Sequence, residues 1–178
     1  MVIAGPVRSS LSLKERGLLM RYLPDGEQMK KADQYTIQQI GVPSVVLMER
    51  AALKIVEVLE EKKKDLRRPL IVCGSGNNGG DGVAIARILH QHGYQSAIYL
   101  AGNPDHRTEE MQRQCQIAVN YQVSVVNNLH SEEYTTIVDA IFGVGLTREI
   151  KGEYRELIAE LNEMPVWKVA VDLPSGVD

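Results

Sequence analysis

From Ser44 to about Lys64, apolar side chains return every three or four residues, at Val45, Leu47, Met48, Ala51, Ala52, Ile55, Val56 and Leu59. That is the stripe of an amphipathic helix. Before it, Asp25 can cap a helix running through about Ile40, and the GVP step at 41–43 breaks the pattern. After it the period shortens. Apolar runs at Leu70–Cys73, Ser96–Leu100, Val123–Val126, Thr135–Phe142 and Val166–Val171 have the length and composition of strands. Between them the spacing predicts helices over Val83–His92, stopped by Gly93, over about Arg107–Tyr121 and over Glu153–Glu163.

Strands alternating with helices through short connections argue for an α/β fold: a parallel sheet with helices on both faces. Right-handed crossovers bring every strand-to-helix connection to the same edge of such a sheet. GSGNNGGDG (74–82), GVGLTRE (143–149) and LPSGVD (173–178) therefore share one rim. In the common strand order 3-2-1-4-5, strands one and four are neighbours, and a ligand crevice opens between their loops.

Composition narrows the partners. The 178 residues suffice for one domain with a proper core, not for two ordinary ones. With 20 basic against 23 acidic side chains and a net charge of −3, no positive field would hold a nucleic-acid backbone. The cluster of Lys62 to Lys64 with Arg67 and Arg68 closes the second helix, where cations suit the dipole. Cys73 and Cys115 are too few for a disulfide framework, and a reducing cytoplasm fits them. No run reaches the roughly 18 apolar residues of a membrane helix, so neither nucleic acid nor membrane is expected as a partner. Residues 1–19 lack the unbroken apolar centre of a signal peptide. They read as a leader or an added arm and are expected to be disordered, with residues 20–178 forming the domain.

Three readings compete for the glycine-rich loop. A phosphate loop of the P-loop kind needs a lysine after its second glycine. Here Gly79 and Gly80 are followed by Asp81, which fails that test. A dinucleotide fingerprint is satisfied by Gly74, Gly76 and Gly79, yet the ribose-gripping acid about 20 residues on is missing; that stretch reads IYLAGNP. The third reading is a dinucleotide-like ligand beside a hard cation. Asn77 and Asn78 offer amide oxygens, glycine frees backbone carbonyls, and Asp81 stands near the helix start. Asp139 and Asp172 each end what reads as a buried strand, the usual address of working groups in open α/β sheets. Ser175 follows three residues after Asp172. Such oxygen donors suit an alkali cation better than zinc, which prefers nitrogen and sulfur. His90 and His92 lie two apart on a helix and face different ways, and His106 and His130 stand isolated in loops.

In order and spacing, GSGNNGGDG (74–82), VDAIFGVGL (138–146) and DLPSGVD (172–178) resemble the NAD(P)H-hydrate epimerase family of the YjeF N-terminal type. MKKADQYTIQQIGVPSVVLMERAA (29–52) resembles that family's amino-terminal helices, so the likeness runs from about Leu23 to the last residue. It implies a Rossmann-like three-layer α/β/α sandwich with a mainly parallel sheet and two N-terminal helices. It also implies a homodimer that binds hydrated NADH and NADPH (NADHX and NADPHX) and a potassium ion, K+. Substrate contacts would come from Asn77, Asn78, Gly79, Gly80 and Asp81, from Gly143, Val144, Gly145, Leu146, Thr147, Arg148 and Glu149, and from Asp172. The cation would be held by Asn78, Asp139 and Ser175, with loop carbonyls completing its shell. Asp172 is the expected catalytic acid/base, exchanging protons with the substrate oxygen. The family often has threonine where Val144 stands, a mild departure. Such domains continue for further strands and some are fused to an ADP- or ATP-dependent dehydratase, so the domain is expected to be truncated at its C-terminus. Two alternatives stay open: a non-catalytic nucleotide-binding or scaffold module of the same fold, and an NAD-dependent oxidoreductase.

Overall fold

The computed structural model describes residues 25–62, 64–129, 134–146 and 149–176. The expectations for residues 1–19, His130, Thr147 and Arg148 lie outside them. The chain divides into two units, Met1–Val42 and Pro43–Asp178. In the first, α1 (Gly26–Tyr35) starts where expected because Asp25 and Gln28 close a reciprocal capping box, at 2.9 and 3.0 Å. A single π turn, Thr36–Ile40, carries it on to Gly41, which stops it at φ 84°.

The second unit holds α2 (Ser44–Glu61), β1 (Pro69–Cys73), α3 (Asn77–Gln91), β2 (Ala97–Leu100), α4 (Glu109–Asn120), β3 (Ser124–Val126), β4 (Thr136–Ala140), α5 (Glu153–Glu163) and β5 (Trp167–Ala170). Among the described residues all four strand pairings are parallel, in the order β3-β2-β1-β4-β5. Side-chain alternation splits the core in two. Ile71 and Cys73 of β1 pack with Ile98, Val138 and Ala140 against α2, α3 and α4. Leu70 and Val72 pack with Ile137 and Ile141 against Leu157 and Leu161 of α5. The result is the expected three layers, with every strand's carboxyl end on one edge. Among the described residues no helix is long and apolar enough to cross a membrane.

Two expectations are corrected. The third helix begins at Asn77, not Val83, so NNGGDG forms the first two turns of α3 instead of a loop. Gly79, Gly80 and Gly82 weaken that start by about 1 kcal/mol each on intrinsic propensity, but close approach demands them. A Cβ on Gly79 would overlap the Gly74 carbonyl, and one on Gly82 would lie 2.5 Å from the Ala140 Cβ and 2.8 Å from the Cys73 sulfur. Tertiary packing overrides propensity here. Second, β5 is not a buried strand: among the described residues it stands at an edge of the sheet, with Lys168 exposed and Trp167, Val169 and Ala170 half-buried.

Candidate active site

The rim crevice is built first by α3. Gly76, extended at φ −88° and ψ −169°, serves as its cap without a side chain. Gly80 donates its amide to Gly76 O at 3.1 Å. The amides of Asn77, Asn78 and Gly79 therefore have no carbonyl one turn back, which makes the helix start an anion-favouring end. The same geometry removes the carbonyls of residues 77–82 as loop ligands, since a helix commits them to its own ladder.

Asn78 then reaches across to the next strand. Its Nδ2 donates to Phe142 O at 2.9 Å, just past the end of β4. The Phe142 amide donates to Ser175 Oγ at 3.1 Å. Ser175 in turn donates its hydroxyl to Asp139 Oδ1 at 2.8 Å and its amide to Asp139 Oδ2 at 2.7 Å. Ile141 N adds a third bond to that carboxylate at 3.1 Å. Asp139 sits inside β4, on the face shared by Ile137 and Ile141, and is half-buried. It thus staples the loop after β5 to the loop after β4.

Asp172 occupies the same corner. Its Oδ2 accepts the Val144 amide at 2.8 Å, and the residue is exposed. A Cβ on Gly143 would lie 2.5 Å from that oxygen and 3.5 Å from the Asn78 Cγ, so Asn78 and Asp172 flank one small gap that glycine keeps open. The pairing register puts Asp139 opposite Ala170, two residues before Asp172, so both acids lie toward the same face and end of the sheet. Asn78, Asp139, Asp172 and Ser175 are thereby brought together.

The remaining expected residues are more dispersed. Gly79 and Gly80 are buried in α3, whereas Val144 and Gly145 are exposed beyond Gly143. Glu149 is exposed and pairs with Lys151 at 2.8 Å. A cleft of about 880 Å³ lies between the loop after β4, α5 and residues 173–176, lined by Gly143, Arg155, Ile158, Leu173 and Ser175 among others. Neither the start of α3 nor the two aspartates line it; Phe142, Gly143 and Ser175 belong to both places. Polar groups converge instead at the hydrogen-bonded corner. Among the described residues no cluster of three or more histidine, cysteine, aspartate or glutamate side chains could hold a metal. Cys73 is inert: burial pushes its thiol well above the ordinary range. The junction residue that the motifs failed to single out is Phe142, whose amide and carbonyl join three rim segments. Backbone bonding of that kind has no side-chain signature.

Residues 44–178 match the family model described as "YjeF-related protein N-terminus". The chain is 46% identical over 154 residues to a protein of Lentilactobacillus buchneri named NAD(P)H-hydrate epimerase, covering 85% of this chain and 72% of that one. A protein of the same name from Limosilactobacillus reuteri is 47% identical, covering 85% and 73%. Among solved structures, yeast ynu0 superposes with a TM-score of 0.76 at 23% identity, over 87% of this chain and 71% of the yeast chain, a likeness of fold.

Proposed function

The chain belongs to the family of YjeF-related N-terminal domains, and from that premise we infer that it is an NAD(P)H-hydrate epimerase, interconverting the R and S forms of NADHX and NADPHX. The observation that carries this is the meeting of Asn78 and Asp172 around Gly143 at the strand-end rim, in a chain 46–47% identical to proteins of that name. β2 ends on Leu100 with Ala101, Gly102 and Asn103 following, so the carboxylate an NAD-dependent oxidoreductase uses on its ribose is missing at that position. A scaffold module would have no need of the Asp172 carboxylate at that rim.

Hydration at C6 of a reduced nicotinamide leaves a hydroxyl on the carbon beside the ring nitrogen. That carbon loses its configuration without redox change if the hydroxyl departs as water, leaving an iminium, and water returns to the other face. One proton must reach the departing oxygen and one must leave the returning water. Asp172, exposed at the rim and held by the Val144 amide, is the residue for both transfers. The amides of Asn77, Asn78 and Gly79 take the pyrophosphate at the start of α3. Gly143 through Leu146 and Glu149 form the opposite lip of the substrate site, and the family resemblance adds Thr147 and Arg148 to its contacts.

The donor set of Asn78, Asp139 and Ser175 fits potassium: all its ligating atoms are oxygen, with one formal charge and no thiol or imidazole. Bound there, potassium supplies positive charge that offsets Asp139 and orders the two loops. The reading extends to a cytoplasmic homodimer working with an ADP- or ATP-dependent dehydratase, fused or separate, that removes the hydrate. The test mixes the chain with R- and S-hydrated NADH and follows interconversion with and without potassium. Interconversion lost in Asp172→Ala is the expected result; Asp172→Ala at full rate would remove it from the chemistry.

A further inference from the structure

Phe142 is the junction of the site, and its side chain is held from an unexpected direction. The Phe142 ring packs on Tyr154 of α5, with centroids 4.9 Å apart and planes tilted by 52°. Tyr154 extends from there to the loop after β2, where its hydroxyl lies 3.5 Å from Ala101 O, at the outer limit of a hydrogen bond. The fit against that loop is steric. Gly102 has φ +78°, and a Cβ placed on it would overlap the Tyr154 hydroxyl. Both aromatic residues are half-buried on the α5 side of the sheet. One tyrosine therefore spans two rim loops and braces the residue whose carbonyl holds Asn78 and whose amide holds Ser175.

We propose that Tyr154 is a positioning residue: its ring, wedged between Phe142 and Gly102, sets where Phe142 stands and thereby the geometry of Asn78, Ser175 and Asp172. This inference rests on the epimerase reading of the site. The link to Asp172 is short, because Val144, its hydrogen-bond donor, is two residues from Phe142. Aromatic pairs prefer tilted geometry, and the interplanar angle here is of that kind. Removing the ring leaves the Phe142 side chain without its neighbour, and the backbone groups on either side of it lose their fixed place. The hydroxyl matters less, given its long contact.

The test compares wild type, Tyr154→Leu, Tyr154→Phe and Gly102→Ala. Each is assayed for hydrate interconversion against potassium concentration, and each is melted in potassium and in choline chloride. Tyr154→Leu is expected to lower kcat by about tenfold or more, since misplacing a reacting group by 1 Å costs on the order of 100-fold. It should also raise the potassium needed for half-maximal activity and shrink the potassium-dependent rise in melting temperature. Tyr154→Phe should rescue all three. Gly102→Ala, which pushes on the hydroxyl from the other loop, should move them in the same direction as Tyr154→Leu. A merely structural tyrosine would lower every melting temperature yet leave the potassium increment and half-activation unchanged, and that pattern overturns the inference. A wild type that turns over hydrates while Tyr154→Leu matches it also overturns this inference alone. A wild type that neither responds to potassium nor turns over hydrates overturns the proposed function, and this inference with it.

Discussion

Gly143→Ala separates the chemistry of this site from its stability. The new methyl carbon would stand 2.5 Å from Asp172 Oδ2 and 3.4 Å from its Cγ. Ordinary contact is about 3.5 Å, so the carboxylate oxygen must retreat by roughly 1 Å. Asp172 is exposed and can swing toward solvent, but doing so breaks its 2.8 Å bond from the Val144 amide. A hydrogen bond to a charged group is worth about 1.5–3 kcal/mol, with the lower end apt for an exposed pair. Asn78 is spared, because its Cγ would sit at an ordinary 3.5 Å. Stability should therefore fall by only about 1–1.5 kcal/mol, a few degrees in melting temperature for a chain of this length. A displaced acid/base should cost on the order of 100-fold in kcat. Chromatographic separation of R- and S-hydrated NADH over time reads the rate, and circular dichroism reads the melt. Gly143→Ala with a kcat within twofold of wild type would refute the placement of Asp172 at the reacting atoms.

Gly82→Ala should do the reverse. Its methyl would enter the dry seam between α3 and the sheet, 2.5 Å from the Ala140 Cβ, so denaturant melts should show a loss of about 1–3 kcal/mol. Activity per folded molecule should change little. Asp139→Asn removes the charge from a carboxylate that accepts three hydrogen bonds. Potassium titration should then show a raised half-activation concentration, and an unchanged value would place the cation elsewhere. Asp65 titrates at about 2 instead of 3.8 because Arg67 bonds its carboxylate through side chain and backbone. A depressed carboxyl contributes stability above its unfolded value and loses it as pH falls through the folded one. Wild type should therefore lose melting temperature faster than Asp65→Asn between about pH 4 and 2, and added salt should narrow the difference.

Periodicity carried the element order, because burial of one face leaves its mark on the spacing of apolar residues; the shared rim followed from crossover handedness and the strand order from the common arrangement of such sheets. The helix Glu153–Glu163 matches its predicted bounds to the residue. Asp139, Asp172, Asn78 and Ser175 were also legible, since strand ends and a glycine-rich turn mark rim positions whatever the details of packing. What the chain could not announce was the start of α3. Three glycines read locally as a loop, and only the folded structure shows that they open a helix whose Gly79 and Gly82 leave no room for a side chain beside Gly74, Cys73 and Ala140. The edge position of β5 follows from the order 3-2-1-4-5, but its half-exposure did not show, because an apolar run looks the same whether one neighbour strand covers it or two. Phe142 as junction and Tyr154 as brace belong to tertiary structure altogether. Their roles arise from backbone groups and a ring contact between residues distant in sequence, and such contacts exist only once the sheet has set the distances.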